Sequence, residues 1–311
     1  MSATSPPTTS TATPPRRPLD LAATCLVVGL CLAWGFQQVA IKAVAADITP
    51  TLQLAMRFTG ASVFFAWVVW RQEGKTLFSD GALPSGLLLG CLFSIEFVLV
   101  GQALRHTSAA HTVVFLYSAP IFTALGLQFL PEEHLSGRQW VGVLLAVAGI
   151  AVAFMSYSEK PIFDLFIGDG LALLAGAAWG ASNVALRRGR ISHASTAKIV
   201  LYQVGMAAVT LSAFAYATDQ MHLIVSTRAI ASVLFQTIAI AIISYIVWYR
   251  LLRRYLTSRL MLLSLLTPLC GVLLGHVVLG EVIEARFGVG AVLVLVGILI
   301  VNSRVLFSRG L

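Results

Sequence analysis

Apolar residues in this chain fall in long unbroken runs and do not alternate with polar ones. The stretch VGVLLAVAGIAVAFM at 141–155 has no charged or polar side chain at all. Alternation with a period of two would mark strands wetted on one face or a transmembrane barrel, whereas runs of about twenty apolar residues mark helices that cross the hydrocarbon layer. Broken at charges, prolines and polar clusters, the runs predict helices near 21–44, 50–70, 82–104, 107–130, 138–156, 168–186, 196–217, 228–251, 256–280 and 286–306. The expected class is an all-α integral membrane protein with ten transmembrane helices. Residues 1–20 open MSATSPPTTSTATPPRRP, too rich in Ser, Thr and Pro to pack, and are expected to be a disordered cytoplasmic tail.

Composition removes the alternatives. Of 311 residues, 58% are hydrophobic and 11% charged, against about a quarter charged in soluble proteins. So few charges cannot coat a soluble globule, and a mean hydropathy of +0.87 excludes disorder. The four cysteines (Cys25, Cys31, Cys91, Cys270) lie in predicted helices without CxxC or Cys/His spacing, so neither a disulfide framework nor a zinc site is expected, and no cofactor is implied. The net charge of +8 is spread over short loops, leaving no basic domain to form a nucleic-acid groove. Topology accounts for it instead. With a cytoplasmic N-terminus, fifteen of the 21 Lys and Arg fall inside and five outside (Lys42, Arg105, Lys160, Arg228, Arg286), while Arg57 lies within the second helix. That bias follows the positive-inside rule and puts both termini in the cytoplasm.

The chain also repeats itself. CLAWGFQQVAIKA at 31–43 returns as GAAWGASNVALRR at 176–188, carrying Trp34 and Gly35 to Trp179 and Gly180 with a shift of 145. A common shift of 148 relates Pro120 to Pro268, Glu133 to Glu281, Gly142 to Gly290 and Gly149 to Gly297. With five helices per half, the second half must enter the membrane upside down, which predicts inverted repeats over 21–156 and 168–306 around a central cavity. In the AWG motif followed by a basic residue (Lys42, Arg187), Arg57 in helix two, and a mid-helix proline, a Glu and a glycine-spaced last helix in each half, the sequence resembles the EamA branch of the drug/metabolite transporter superfamily. It departs from that pattern where Gln37 and Ser182 stand two residues after the motif's glycine, with Asn183 one further on. The resemblance implies a carrier in the bacterial cytoplasmic membrane that exports small metabolites, amino acids among them.

Several residues are candidates for transport. Glu96 lies mid-helix in CLFSIEFVLVG, where an ionisable group costs about 2.5–3.5 kcal/mol on insertion scales. Either it faces a wet cavity as a substrate-amine or proton site, or it is a structural partner of Arg57, His111 or backbone groups. Arg57 either binds a substrate carboxylate or snorkels and locks neighbouring helices, the latter being favoured by its place near a helix end. His111 and His276 either relay protons or bond to carbonyls, with His111 joining Glu96 as the proton-coupling candidates. Trp34 with Gln37 and Gln38, and Trp179 with Ser182 and Asn183, set aromatic and polar groups on one side of their helices. Thr237, Ser244 and Trp248 share a face of helix eight beside Tyr245. With Tyr117, these residues are expected to line a substrate site. Pro120 and Pro268, each freeing a carbonyl within a helix, are expected hinges, and Glu133 and Glu281 are expected loop or cap residues. GLLLG, GAAWG and GVLLG allow close helix contact.

The expected activity is secondary transport by alternating access, since GxxxxGK[ST] is absent; GxSxG and HExxH are absent too, which argues against an intramembrane enzyme. A multidrug or lipophilic-cation exporter is the alternative, and a channel is a further one. The expected partners are a small-molecule substrate and the lipid bilayer, with a homodimer left open.

Overall fold

A computed structural model describes residues 20–74, 81–127, 136–154, 162–188, 191, 194–255, 260, 263–264 and 266–302. Ten helical units follow one another there: α1 Leu21–Ala43, α2 Pro50–Glu73, α3 Leu83–His106, a broken α4 (α4a Ala109–Leu116, α4b Ala119–Leu127), α5 Gly137–Phe154, α6 Ile162–Arg188, α7 Thr196–Ala217, α8, α9 Leu266–Leu279 and α10 Ala285–Asn302. Helix α8 runs as Thr227–Leu234, a π-helical Phe235–Ser244 and a final α-helical Tyr245–Arg254. Six of the ten, α1, α2, α3, α6, α7 and α8, are by themselves long and apolar enough to cross a bilayer, and shorter apolar helices complete the bundle. The outward surface is apolar, with Leu26, Val63, Trp67, Leu144, Val209, Val277 and Val292 all exposed. A soluble protein would hide these side chains; lipid tails solvate them.

Helix starts are set by groups that satisfy the first amides, which lack partners within the helix. Asp20 Oδ1 accepts from Ala23 N at 2.7 Å, and Pro50 begins α2 where a missing N–H costs nothing. Ser108, Ser195 and Ser226 cap α4a, α7 and α8 through their side-chain oxygens.

Lipid supplies no hydrophobic force between helices, so their association rests on close packing. Glycines supply it in two matched contacts. A Cβ on Gly35 of α1 would lie 2.7 Å from Gly271 N and 3.0 Å from Thr267 O of α9. A Cβ on Gly180 of α6 would lie 2.9 Å from Thr123 N and 3.0 Å from Ala119 O of α4b. The first contact becomes the second under the shifts of 145 and 148, with the halves exchanged. Helices α5 and α10 meet in the same way, because Gly149 abuts Gly290 O and Val294 N while Gly297 abuts Gly142 O and Ala146 N.

Two expectations are corrected. The span 107–130 is not one helix kinked at Pro120: the chain turns at Tyr117 and Ser118, and Pro120 is the second residue of α4b. There its missing N–H is one that a helix start leaves unpaired anyway. Pro268 lies within Leu266–Leu279, and Leu263 and Ser264 before it are helical too, in keeping with the mid-helix proline expected there. Helix α6 begins at Ile162, earlier than the expected 168, so Asp164 and Asp169 lie within it. Residues 1–19 and Glu133 lie outside the described residues.

The α5–α10 contact is testable. A methyl on Gly297 would fall 2.6 Å from backbone atoms of Ala146 and Gly142, whereas one on Gly288 would meet nothing within 4 Å. Gly297→Ala is therefore expected to lower stability in detergent by about 1–3 kcal/mol, read as a lower Tm, while Gly288→Ala leaves Tm unchanged.

Candidate functional site

Two aromatic junctions join the halves of the chain. On one, the Trp34 indole Nε1 of α1 donates to Ser244 Oγ of α8 at 2.9 Å, and the same ring meets Trp248 edge-on with centroids 5.3 Å apart. On the other, Tyr117, at the break in α4, meets Trp179 of α6 edge-on at 5.3 Å. All four aromatic rings are half-buried. Ser244 closes the π-helical segment and its hydroxyl donates back to Ile240 O at 2.5 Å. That segment has a larger residue count per turn than an α-helix, a feature often found at functional positions. It also breaks the expected common face of α8: Thr237 abuts Gly60 of α2, while Ser244 reaches Trp34 of α1.

A charged pair lies inside the bundle. Arg57 of α2 has no exposed surface, and its guanidinium lies over the rings of Phe58 at 4.3 Å and Phe97 at 4.9 Å. None of its three nitrogens makes a hydrogen bond. Glu96 of α3 is 4% exposed, and its Oε2 is likewise without one. The two groups are within electrostatic range of each other, of Tyr245 and, for Glu96, of Tyr117. Beside them Phe58 meets Phe93 and Phe97 edge to face and those two meet at a tilt, with centroids 4.7–5.4 Å apart. The snorkelling expected of Arg57 is thereby corrected: its place in the first third of α2 turns it into the bundle, where α3 and α8 cover it.

The other predicted residues divide. Gln37 and Gln38 are buried, with Gln38 Oε1 unbonded, and Ser182 is buried with its hydroxyl unbonded. Asn183 is exposed and donates to Thr123 Oγ1 of α4b at 3.1 Å. Adjacent helical positions point about 100° apart, so Ser182 and Asn183 do not share a side. His111 does not partner Glu96. Its Nδ1 lies 2.9 Å from Asp169 Oδ2, its ring stacks on Phe287 at 4.0 Å, and Thr107 Oγ1 donates to the same aspartate at 2.6 Å.

These contacts belong to a polar clamp at the end of the bundle opposite Asp20. Glu281, between α9 and α10, accepts from Ala109 N at 2.7 Å and from Ala110 N at 3.0 Å, so a carboxylate from the second half caps α4a of the first. His276 Nδ1 lies 2.8 Å from Glu281 O. Lys42 Nζ donates to Leu104 O at 2.7 Å and to Thr107 O. Beside it Asp47 accepts from Ser226 Oγ at 2.5 Å and from Ile224 N at 2.8 Å, tying the α1–α2 loop to the α7–α8 loop.

Asp169, Thr267 and the three phenylalanines were not singled out from sequence. Asp169 alone had a signal, an acidic residue in the apolar string FIGDGLALL. Among the described residues no group of three His, Cys, Asp or Glu could hold a metal ion. An apolar groove of about 510 Å³ between α3, α4b and α6 is lined by Ser85, Leu88, Phe122 and Val184 and contains none of the predicted site residues.

Comparison with known proteins adds the following. The model of the EamA-like transporter family matches the chain twice, over residues 21–155 and 166–303. An uncharacterized transporter of Bacillus subtilis, YoaV, is 23% identical over 88% of this chain and 94% of its own length. A Salmonella typhimurium protein named "Probable amino-acid metabolite efflux pump" is 25% identical over 88% of this chain and 93% of its own. One solved crystal structure superposes with a TM-score of 0.60 at 19% identity, covering 90% of this chain and 97% of that one, a likeness of fold.

The clamp makes a prediction of its own. Glu281→Ala strands two buried-end amides, each costing about 1–3 kcal/mol when left unsatisfied. The variant is expected to have a lower Tm in detergent, and Glu281→Gln, which keeps one acceptor oxygen, to recover part of the loss.

Proposed function

The chain belongs to the EamA-like transporter family, and from that premise we propose that it exports small organic metabolites, amino acids among them, by alternating access. It is a multi-pass membrane transporter. The observation that carries the finer reading is the meeting of Trp34 with Ser244 and of Tyr117 with Trp179 across the two halves, with Tyr117 and Tyr245 also near the buried Glu96. A site shared by two halves changes its access when the halves rock against each other. The name of the Salmonella relative supports amino-acid export, and the absence of a phosphate-binding loop motif supports an ion or substrate gradient as the energy source.

In this reading Trp34, Gln37, Gln38, Tyr117, Trp179, Ser182, Asn183, Ser244, Tyr245 and Trp248 line the substrate path. Pro120 and Pro268 mark hinges, since Pro120 follows the turn at Tyr117 and Ser118 and Pro268, within α9, removes a helical hydrogen bond. Glu96 exchanges a proton for substrate, and His111 serves the same coupling from its contact with Asp169. The bias of basic residues supports a bacterial inner-membrane topology with both termini in the cytoplasm and the Glu281 clamp at the outer face. A carboxyl ringed by aromatic side chains also favours a second reading, export of lipophilic cations.

Counterflow in proteoliposomes of the purified protein, with labelled amino acids, amines and lipophilic cations, is expected to give saturable exchange of amino acids. Saturable exchange of lipophilic cations alone would replace the first reading with the second, and non-saturable flux would indicate a channel. Glu96→Gln is expected to abolish transport or remove its dependence on pH while the protein stays folded; an unchanged pH-dependent rate would sink the proton role.

A further inference from the structure

A guanidinium enclosed by protein with every N–H unbonded is an unfinished interaction. Removing a cation from water costs several kcal/mol, and inside a membrane protein such residues pair with one another, with carbonyls or with a ligand. Arg57 has no exposed surface, and none of its three nitrogens makes a hydrogen bond of full geometry, Tyr245 being within reach but not aligned. Its contacts with Phe58 and Phe97, at 4.3 and 4.9 Å, engage the delocalised charge but use none of the N–H donors on the rim. Five donors in a planar fork match the two oxygens of a carboxylate.

The carboxylate at hand does not fill that role. Glu96 is 4% exposed and one helix away, yet it makes no hydrogen bond to Arg57, and its own Oε2 is left unbonded. The bundle interior thus holds here one cation and one carboxyl group, each with unused bonding capacity and each within electrostatic range of the other. A molecule that carries a carboxylate and an ammonium on neighbouring atoms would complete both. Tyr245, from the second half, lies within reach of the guanidinium and would have to turn aside for a ligand to enter. It directly follows the π-helical segment of α8, so contact with a ligand here is sensed by both halves of the chain.

We propose that Arg57 is the carboxylate anchor of the transport site and Glu96 its ammonium acceptor, so that the substrate is a zwitterionic α-amino acid and not a lipophilic cation. This rests on the transporter reading above and chooses between its two substrate classes.

The test uses the full chain in proteoliposomes with four probes: phenylalanine, phenylalaninamide, phenethylamine and 3-phenylpropionate, beside a panel of other amino acids and other metabolites. Wild-type protein is expected to exchange phenylalanine or another α-amino acid of the panel, with the carboxylate-free amide and amine weaker by at least tenfold and phenylpropionate, which lacks the amine, weaker as well. Arg57→Lys, which keeps the charge but loses the fork, is expected to raise KM for the amino acid about tenfold. Arg57→Gln is expected to erase the preference of amino acid over amide.

The comparison of ligands in the wild-type protein stands even if Arg57→Gln fails to fold. Exchange of the amide and the amine as fast as the amino acid would overturn the carboxylate anchor while leaving the transporter reading intact, as would exchange of another metabolite class with no amino acid exchanged. No saturable exchange of any probe or panel member by folded protein would overturn both.

Discussion

A hydrocarbon layer offers no hydrogen bonds, and that constraint orders most of what this molecule does with its polar atoms. Helix starts are closed by Asp20, Ser108, Ser195 and Ser226, the break in α4 is bridged by its own turn, and Lys42 spends its ammonium on the last carbonyls of α3. Gln53 follows the same rule: its amide donates to Ile41 O and Ile48 O, and its oxygen accepts from Gln236, which fixes α1, α2 and α8 to one another. Where the rule is obeyed nearly everywhere, the exceptions carry information. Gln38, Arg57, Glu96, Ser182 and Thr267 all keep unbonded buried atoms, and they come from helices of both halves.

The same medium explains how the helices hold together. Leucine gains nothing by leaving lipid for another leucine, so the decisive contacts are those in which backbones nearly touch. The glycine contacts of α1 with α9, of α6 with α4b and of α5 with α10 are of this kind, and they repeat with the halves exchanged. At these points backbone meets backbone, with small or apolar side chains packed around them. These contacts pack tightly, whereas the polar clamp of Glu281, Asp169 and Asp47 is directional and is either made or broken. The bundle thus joins close glycine contacts between helices with a directional polar clamp at one end.

The two halves share a scaffold but not a chemistry. A shift of 148 takes Glu96 to Ser244 and Arg57 to Gly205, so this pair does not recur in the second half, whose buried charges, Asp169 and Lys198, stand elsewhere. The second half contributes Trp179, Ser244, Tyr245 and Trp248, which form the aromatic and hydroxyl surroundings. Duplication thus provided symmetry of packing, and divergence left the Arg57 and Glu96 pair to one half of it.

The chain by itself determined the class, the number of helical units and most of their limits, because a membrane span is a local property: some twenty apolar residues suffice, whatever surrounds them. It determined the repeat as well, since glycine and proline positions are dictated by backbone geometry and survive as fixed spacings. What it could not contain was direction. Arg57 read as a side chain near a helix end, and only the packing of α3 and α8 over it turned that position into a buried one. The partner of His111 proved to be Asp169, 58 residues away, because α4a and α6 meet at one end of the bundle. Thr237 and Ser244 lost their common face to a π-helical segment that no local pattern announces. Helical periodicity gives the angle of a side chain about its own axis, but which neighbour stands at that angle is decided by the arrangement of all ten helices together.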